Sequence, residues 1–342
     1  MCPRDRRAGV HAARGPRAPV RQLRPAPERD APRLHRGGLP APPGPGGQTI
    51  AVRTTDVRQL REATVAIVGL GQMGASIGRA LIGRRACRRV IGVSRKTSTL
   101  RAALRLRAAH EVTRDLESAC SRADIVLLAT PARTILRLIQ PAATSMKPGS
   151  LLIDVGSTKG IICRQAASIA QKTGVRFIGG HPMSGQSGSG PLSSDPGLFR
   201  GRPFVLSPVA SSGPSDIALA SRLARAVGAI PILIDPVVHD QIVARISHLP
   251  HVIAVALVLL AASSGNSLPF RLAAGSFKGA TRVAAADTDM LTDILLTNSR
   301  ATCSAIDDFR RILLRLEKLI RTMDERRLVK LLVAARSIRS RI

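Results

Sequence analysis

Ten residues constrain this chain more than any others: Val65-Ala-Ile-Val-Gly-Leu-Gly-Gln-Met-Gly74. A short apolar run turns through Gly69, Gly71 and Gly74 into the helix-forming stretch Ala75–Ile82. Each glycine has a separate task. Gly69 permits a tight turn out of a strand. Gly71 carries no side chain, so a pyrophosphate can approach the backbone. Gly74 lets the helix lie close to the strand, with its first N–H groups facing the anion. A glycine-rich turn alone says little, but a strand before it and a helix after it mark a dinucleotide cradle. Gln72 and Met73, inside the fingerprint, and Thr130-Pro131, after a later apolar run, are read as further cofactor-binding positions.

The surrounding pattern agrees. Apolar runs at Thr64–Val68, Val90–Val93, Ile125–Ala129, Leu151–Val155, Arg176–Ile178, Pro203–Leu206 and Ile230–Ile234 read as strands. Helices are expected near Ala75–Gly83, at Thr97–Ala109 with Thr97 or Ser98 as its cap, and at Ala132–Ser145. Continuous apolar strands separated by helices predict a parallel sheet covered on both faces. Beyond Asp235-Pro236 only helical spacing remains, over His239–Leu249, Pro250–Ser263, Pro269–Ala274, Asp289–Glu317 and Asp324–Arg339. The expected architecture is α/β: a Rossmann-like, mostly parallel sheet domain over 61–234, then an all-α domain over 235–342. The apolar stripes of the second part predict core and subunit packing, hence a homodimer through the C-terminal helices. The longest apolar run, Val252–Ala262, is too short to span a bilayer and predicts a buried helix, with no membrane partner.

Residues 1–60 are rich in Arg, Pro, Ala and Gly and cannot bury enough surface to offset chain entropy, so disorder is expected there. The stretch is basic and acid-poor like an organelle transit peptide, but its prolines oppose the amphipathic helix such peptides form. An upstream extension of the reading frame is the other reading. The chain has five cysteines, none in a C-x-x-C pair, which points to a reducing, cytoplasmic setting. A net charge of +30 raises the question of nucleic acid, but there is no Trp or Tyr and only 6 Phe to stack on bases. The charge reads as an Arg-rich solvated surface that favours anionic ligands.

The second strand runs Val90-Ile-Gly-Val-Ser-Arg-Lys96. An acid at its end would bind a ribose 2′-hydroxyl. Here Ser94, Arg95 and Lys96 stand instead, a set that suits a 2′-phosphate and favours NADP over NAD.

Three stretches carry candidate chemistry: Asp154-Val-Gly-Ser-Thr-Lys159, Gly179-Gly-His-Pro-Met-Ser-Gly185 and Thr281-Arg282. His181, in what reads as a Gly/Pro-held loop, offers an acid–base imidazole. Ser157 offers a hydroxyl to orient it, and Arg282 a guanidinium for a carboxylate. Singly, each has a bland reading as a turn histidine, a helix cap and a surface charge. His248 and His251, three apart beside Pro250, lack a Cys or carboxylate to complete a metal set. They read equally as substrate contacts or helix-start packing. His239-Asp240 reads as a local structural hydrogen bond.

Taken in order, Gly69-x-Gly-x-x-Gly74, Asp154-x-x-Ser-x-Lys159, Gly180-His-Pro-Met-x-Gly185, Ser247-His-Leu-Pro-His251 and Phe277-x-x-x-Thr-Arg282 resemble the prephenate/arogenate dehydrogenase family of tyrosine biosynthesis. The resemblance covers residues 62–342. Ser94-Arg95 looks most like the NADP-dependent arogenate enzymes of cyanobacterial type. It implies oxidative decarboxylation of a cyclohexadienyl acid with hydride transfer to NADP or NAD. His181 would take the 4-hydroxyl proton, Ser157 would hold the imidazole, Arg282 would grip a carboxylate, and Lys278 would stand near the substrate. The chain departs from the family's Phe-Arg-Asp-x-Thr-Arg: Lys278 and Gly279 replace Arg and Asp. Ser187 replaces a common Glu, and Leu291 a Trp found in other members. These departures bear on substrate choice and catalytic vigour. Two rivals remain, a β-hydroxyacid-type dehydrogenase with the same glycine opening, and a non-catalytic dinucleotide-binding protein.

Overall fold

The computed structural model describes residues 60–184, 188–263 and 265–341. The leader as far as residue 59, and Gly185, Gln186 and Ser187, fall outside these, as do the expectations placed on them. The sheet part runs β1 (Thr64–Val68), α1 (Gln72–Gly83), β2 (Arg89–Val93), α2 (Thr97–Arg105), β3 (Glu111–Thr113), α3 (Leu116–Arg122), β4 (Ile125–Leu128), α4 (Ala132–Ser145) and β5 (Leu151–Asp154). It continues through α5 (Gly160–Thr173), β6 (Arg176–Pro182), β7 (Pro203–Pro208), α6 (Pro214–Ala226) and β8 (Ile230–Leu233). The helical part comprises α7 (Pro236–Val243), a π turn (Ala244–His248), α8 (Leu249–Ala262), α9 (Leu268–Leu272) and α10 (Gly275–Thr281). A 3₁₀ turn (Arg282–Ala285), α11 (Thr288–Thr297), α12 (Ser299–Arg321) and α13 (Glu325–Arg339) complete it.

Residue alternation in β1 sets the layers. Val65 and Ile67 enter one apolar core with Ile77 and Leu81 of α1, Leu100 of α2 and Leu219 and Leu223 of α6. Ala66 and Val68 enter the other, with Cys120 of α3, Ile135 and Ile139 of α4 and Ile162 of α5. A strand with period two does this when both faces are covered. The eight strands lie in the order β3-β2-β1-β4-β5-β6-β7-β8. All neighbours are parallel except β6 and β7. The chain winds outward from β1 in both directions, so a crevice opens beyond the carboxyl ends of β1 and β4, where open α/β sheets bind ligands.

The helical part is fastened to the sheet part by two carboxylates. Asp293 accepts the backbone N–H of Arg133 at 3.1 Å, in the first turn of α4, and also pairs with that residue's guanidinium. Asp240 accepts the N–H groups of Lys159 and Gly160, at 2.7 and 2.8 Å, where α5 begins. Unpaired donors and the positive dipole end at a helix start both favour an anion there.

Five expectations need correction. Thr97–Ala109 is not one helix: α2 stops at Arg105, Arg107 takes φ +52, and β3 follows. Lys96, not Thr97 or Ser98, occupies the cap. Asp289–Glu317 breaks at Asn298, whose side chain donates to the Asp240 carbonyl at 2.8 Å instead of lying along a helix face. His181 is not in a loop. It belongs to β6, which continues past Ile178 because β7 pairs antiparallel with Gly179–Pro182.

The fifth concerns the apolar run. The π turn carries the helix past Pro250, so Pro236–Ala262 is one helix of 27 residues whose most apolar 18-residue window has mean hydropathy 1.9. By length and composition it could cross a membrane, and only 22% of its most apolar window is buried. In α8 only Leu249 and Ala254 are buried. The expected buried helix is therefore an exposed one within a single chain: apolar composition says that a face must be covered, not which chain covers it.

Candidate active site

The glycine turn behaves as its spacing predicts. Gly69 takes φ +100, and a Cβ there would lie 2.5 Å from the Ala129 carbonyl oxygen. A Cβ on Gly74 would lie 1.9 Å from the Gly69 carbonyl oxygen, so this approach of helix to strand needs glycine. A Cβ on Gly71 would meet nothing within 4 Å; its space opens on the crevice. Helix α1 begins there with no side-chain cap and no acid in its first turn, leaving its N–H groups to an anion. Gln72, Met73 and Gly74 do not line the crevice with side chains. Gln72 donates from Nε2 to the Ser193 carbonyl at 3.3 Å, Met73 packs on the core, and Gly74 sits under the turn.

The crevice holds about 550 Å³. Gly69, Gly71, Ser94, Arg95, Lys96, Thr130 and Pro131 line it, as the sequence predicts. Arg114, Arg137, Leu116 and Leu138 join them unforeseen, because they come from turns and helices that no motif marks. Two apolar walls, four cations, a bare glycine and an uncapped helix start fit an adenine dinucleotide. A hollow of about 600 Å³ between α12 and α13 is lined by surface residues such as Arg315 and Arg327, and none of the sheet residues reaches it.

The candidate catalytic groups follow the next two strands. Ser157 lies three residues past the end of β5, and His181 near the carboxyl end of β6, on the same sheet edge as Gly69 and Thr130. Beneath them Lys159 and Asp154, both fully buried, form an ion pair, and Asp154 also accepts the Gly180 N–H at 3.2 Å. His181 Nδ1 lies 2.9 Å from His239 Nε2, and His239 Nδ1 lies 2.8 Å from Asp240 Oδ1. The local His239–Asp240 bond is therefore present, but it also reaches the sheet. Desolvation, followed by His239, Lys159 and His248, holds the His181 imidazole well below its ordinary value of 6.5. No hydrogen bond joins Ser157 to His181 among the described residues; His239 holds the ring.

The remaining candidates separate. His248 is buried inside the helical part, 3.2 Å from Asn298 Nδ2, and burial pushes its imidazole down to about 4. The ring packs within the bundle. His251 is half-buried, its Nδ1 2.8 Å from the Ser247 carbonyl oxygen. No metal-binding group of His, Cys, Asp or Glu forms among the described residues. Lys278 and Arg282, on α10 and the 3₁₀ turn packed against α8, are exposed. Neither side chain has a polar partner among the described residues, and a Cβ at Gly279 would meet nothing within 4 Å. The acid missing from the motif is thus not replaced by another described residue.

Comparison with known proteins bears on the same features. The model of the prephenate dehydrogenase nucleotide-binding domain matches residues 77–233, and that of the prephenate dehydrogenase dimerization domain matches 235–334. The prephenate dehydrogenase of Lactococcus lactis subsp. cremoris is 32% identical over 250 residues, 72% of this chain and 68% of that one. Synechocystis arogenate dehydrogenase superposes with a TM-score of 0.72 at 31% identity, covering 81% of this chain and 99% of that one. Prephenate dehydrogenase from A. aeolicus, solved with hydroxyphenyl propionate and NAD+, gives 0.77 at 29% identity, covering 81% and 97%. Motif order, sheet topology and both domain matches agree: the chain belongs to the prephenate dehydrogenase family, NAD(P)-dependent oxidoreductases that oxidatively decarboxylate cyclohexadienyl acids in tyrosine biosynthesis.

Proposed function

We propose that this chain oxidises and decarboxylates arogenate or prephenate with NADP as its preferred dinucleotide, His181 acting as the base and Arg282 as the carboxylate anchor. One observation carries the reading: the glycine turn, Thr130, Ser157 and His181 stand at the carboxyl ends of neighbouring strands β1, β4, β5 and β6. An imidazole on the same sheet edge as the crevice supports its role beside the bound dinucleotide. The bound dinucleotide supplies the hydride acceptor. His181, held neutral by its surroundings, takes the proton of the 4-hydroxyl as the carbinol carbon is oxidised. Ser157, at the same edge, is close in sequence to the buried Asp154–Lys159 pair and serves the hydroxyl. Arg282, exposed and unpartnered, is available to a substrate carboxylate. Lys278, one turn earlier, adds positive charge on that wall, and half-buried His251 is a further contact.

The cofactor preference is supported by four cations, Arg95, Lys96, Arg114 and Arg137, in a lining with no carboxylate among its described residues. Such a set stabilises a 2′-phosphate and gives a 2′-hydroxyl no acceptor. The exposed apolar faces of the helical part support a homodimer, since the matched domain is a dimerization domain. Membrane insertion of Pro236–Ala262 is disfavoured by its first third, where His239 and Asp240 are bonded into the sheet part. The free thiols Cys87, Cys120 and Cys163 support a cytoplasmic setting. Steady-state oxidation of both acids with both dinucleotides tests the reading. NADP-linked turnover of either acid is expected; reduced dinucleotide from neither acid would overturn it.

A further inference from the structure

We infer that Asp240 and His239 are positioning residues which fix His181 as the Nδ1–H tautomer, so that Nε2 is the atom that takes the substrate proton. This rests on His181 being the base, but the tautomer can be observed separately. Asp240 accepts two backbone N–H groups at the start of α5, one on each oxygen, at 2.7 and 2.8 Å. Both carboxylate oxygens are therefore acceptors here. His239 Nδ1, 2.8 Å from Asp240 Oδ1, must then carry hydrogen. A neutral His239 has its lone pair on Nε2. That atom lies 2.9 Å from His181 Nδ1, which therefore carries the hydrogen between them. The lone pair of His181 is left on Nε2, which has no partner among the described residues.

The arrangement resists exchange because it is dry and crowded. His239 is 1% exposed, and the two rings meet edge to face at 79° with centroids 5.1 Å apart. The other titratable groups facing this chain are Lys159, paired to Asp154, His248, bonded to Asn298, and the buried Cys163 thiol of α5 near Asp240. Lys159 and His248 add to the cost of a positive charge on His181, so the accepted proton needs an outlet. The geometry supplies one. When the substrate O–H bond breaks, its electron pair stays on oxygen and an N–H bond forms at His181 Nε2. The Nδ1 proton can then pass to His239 Nε2, which leaves His181 neutral and sets the cation against the Asp240 carboxylate. This is the alignment logic of a histidine oriented by a buried acid, extended by one ring.

The test uses the full chain labelled with ¹⁵N-histidine. Long-range ¹H–¹⁵N correlation reads the tautomer of each ring, and the His181 signals are assigned by their loss in His181→Asn. The expected wild-type result is an unprotonated His181 Nε2 and a protonated Nδ1. His239→Phe keeps a ring in the slot but removes the acceptor. It should mix the tautomers, lower kcat about 100-fold with dinucleotide affinity unchanged, and displace the acid limb of kcat/KM. His239→Gln, whose amide oxygen can accept the Nδ1 hydrogen, should restore part of kcat. A wild-type His181 protonated on Nε2, or a His239→Phe protein with wild-type kcat and pH profile, would overturn the assignment. Should His239→Phe not fold, the wild-type tautomer alone decides. Full turnover in His181→Asn would instead remove the base reading, whatever the tautomer.

Discussion

The two halves of this chain solve the same burial problem to different degrees. In the sheet half, large apolar side chains fill two cores, and Ile67, Ile77, Leu81, Ile125 and Leu127 are fully enclosed. In the helical half, the buried apolar cluster is Ala244, Leu249 and Ala305. Leu259 and Leu260 remain 64% and 70% exposed. The sheet half is complete within one chain and builds the cofactor crevice from its own residues. The helical half leaves apolar faces open, in keeping with its match to a dimerization domain, and carries the proposed substrate arginine and the ring behind the proposed base. Completeness of fold and completeness of function have thus been divided between regions, and each can be attacked separately.

The hardest test of that division is His181→Asn. The residue lies in the sheet half, so dinucleotide affinity, read by fluorescence of the reduced cofactor, should hold while kcat falls by about 10²–10⁴-fold. In the wild type, the base works unprotonated. Activity should therefore persist on acidification past pH 6.5 and fail only as pH drops through the lowered value of His181, measured as the acid limb of kcat/KM. Next comes Arg282→Ala in the helical half. Loss of a charged hydrogen-bond donor should raise the KM for the acid about 10- to 100-fold, with thermal midpoint and cofactor binding unmoved. An unchanged KM would mean that the helical half does not grip the substrate. Ser94→Asp sharpens the sheet side alone. It should shift the ratio of kcat/KM toward NAD by about 10-fold through repulsion of the 2′-phosphate, independent of assembly state. The smallest effect is expected on stability. Leu260→Glu should weaken association, seen by sedimentation, and lower the thermal midpoint by about 2–4 °C as partner stabilisation is lost. A variant that sediments as the wild type would place the interface elsewhere.

What could be read from the residues alone follows the range of the interactions. The glycine turn and the long strands are local, so Gly69, Gly74 and β1 are legible in the sequence. β3 is not: with Val112 as its single apolar residue, three residues cannot display a period. His181 looks like a loop residue because glycines and a proline flank it. Its strand depends on pairing with Val205, far along the chain. The crevice residues in the fingerprint and after β2 are legible, whereas Arg114 and Arg137 arrive through topology. His239 lies 58 positions from His181, and no spacing rule links them. Arg282 is legible by motif, and the consequence of Gly279 is visible only in the open space beside it.

The unbroken helix from Pro236 to Ala262 has an operational consequence. At about 1.5 Å per residue it is a rod roughly 40 Å long, rooted at one end on the ring behind the base and ending in leucines open to solvent. On the roles proposed above, association and proton transfer share this strut. Specific activity should therefore decline when the enzyme is diluted.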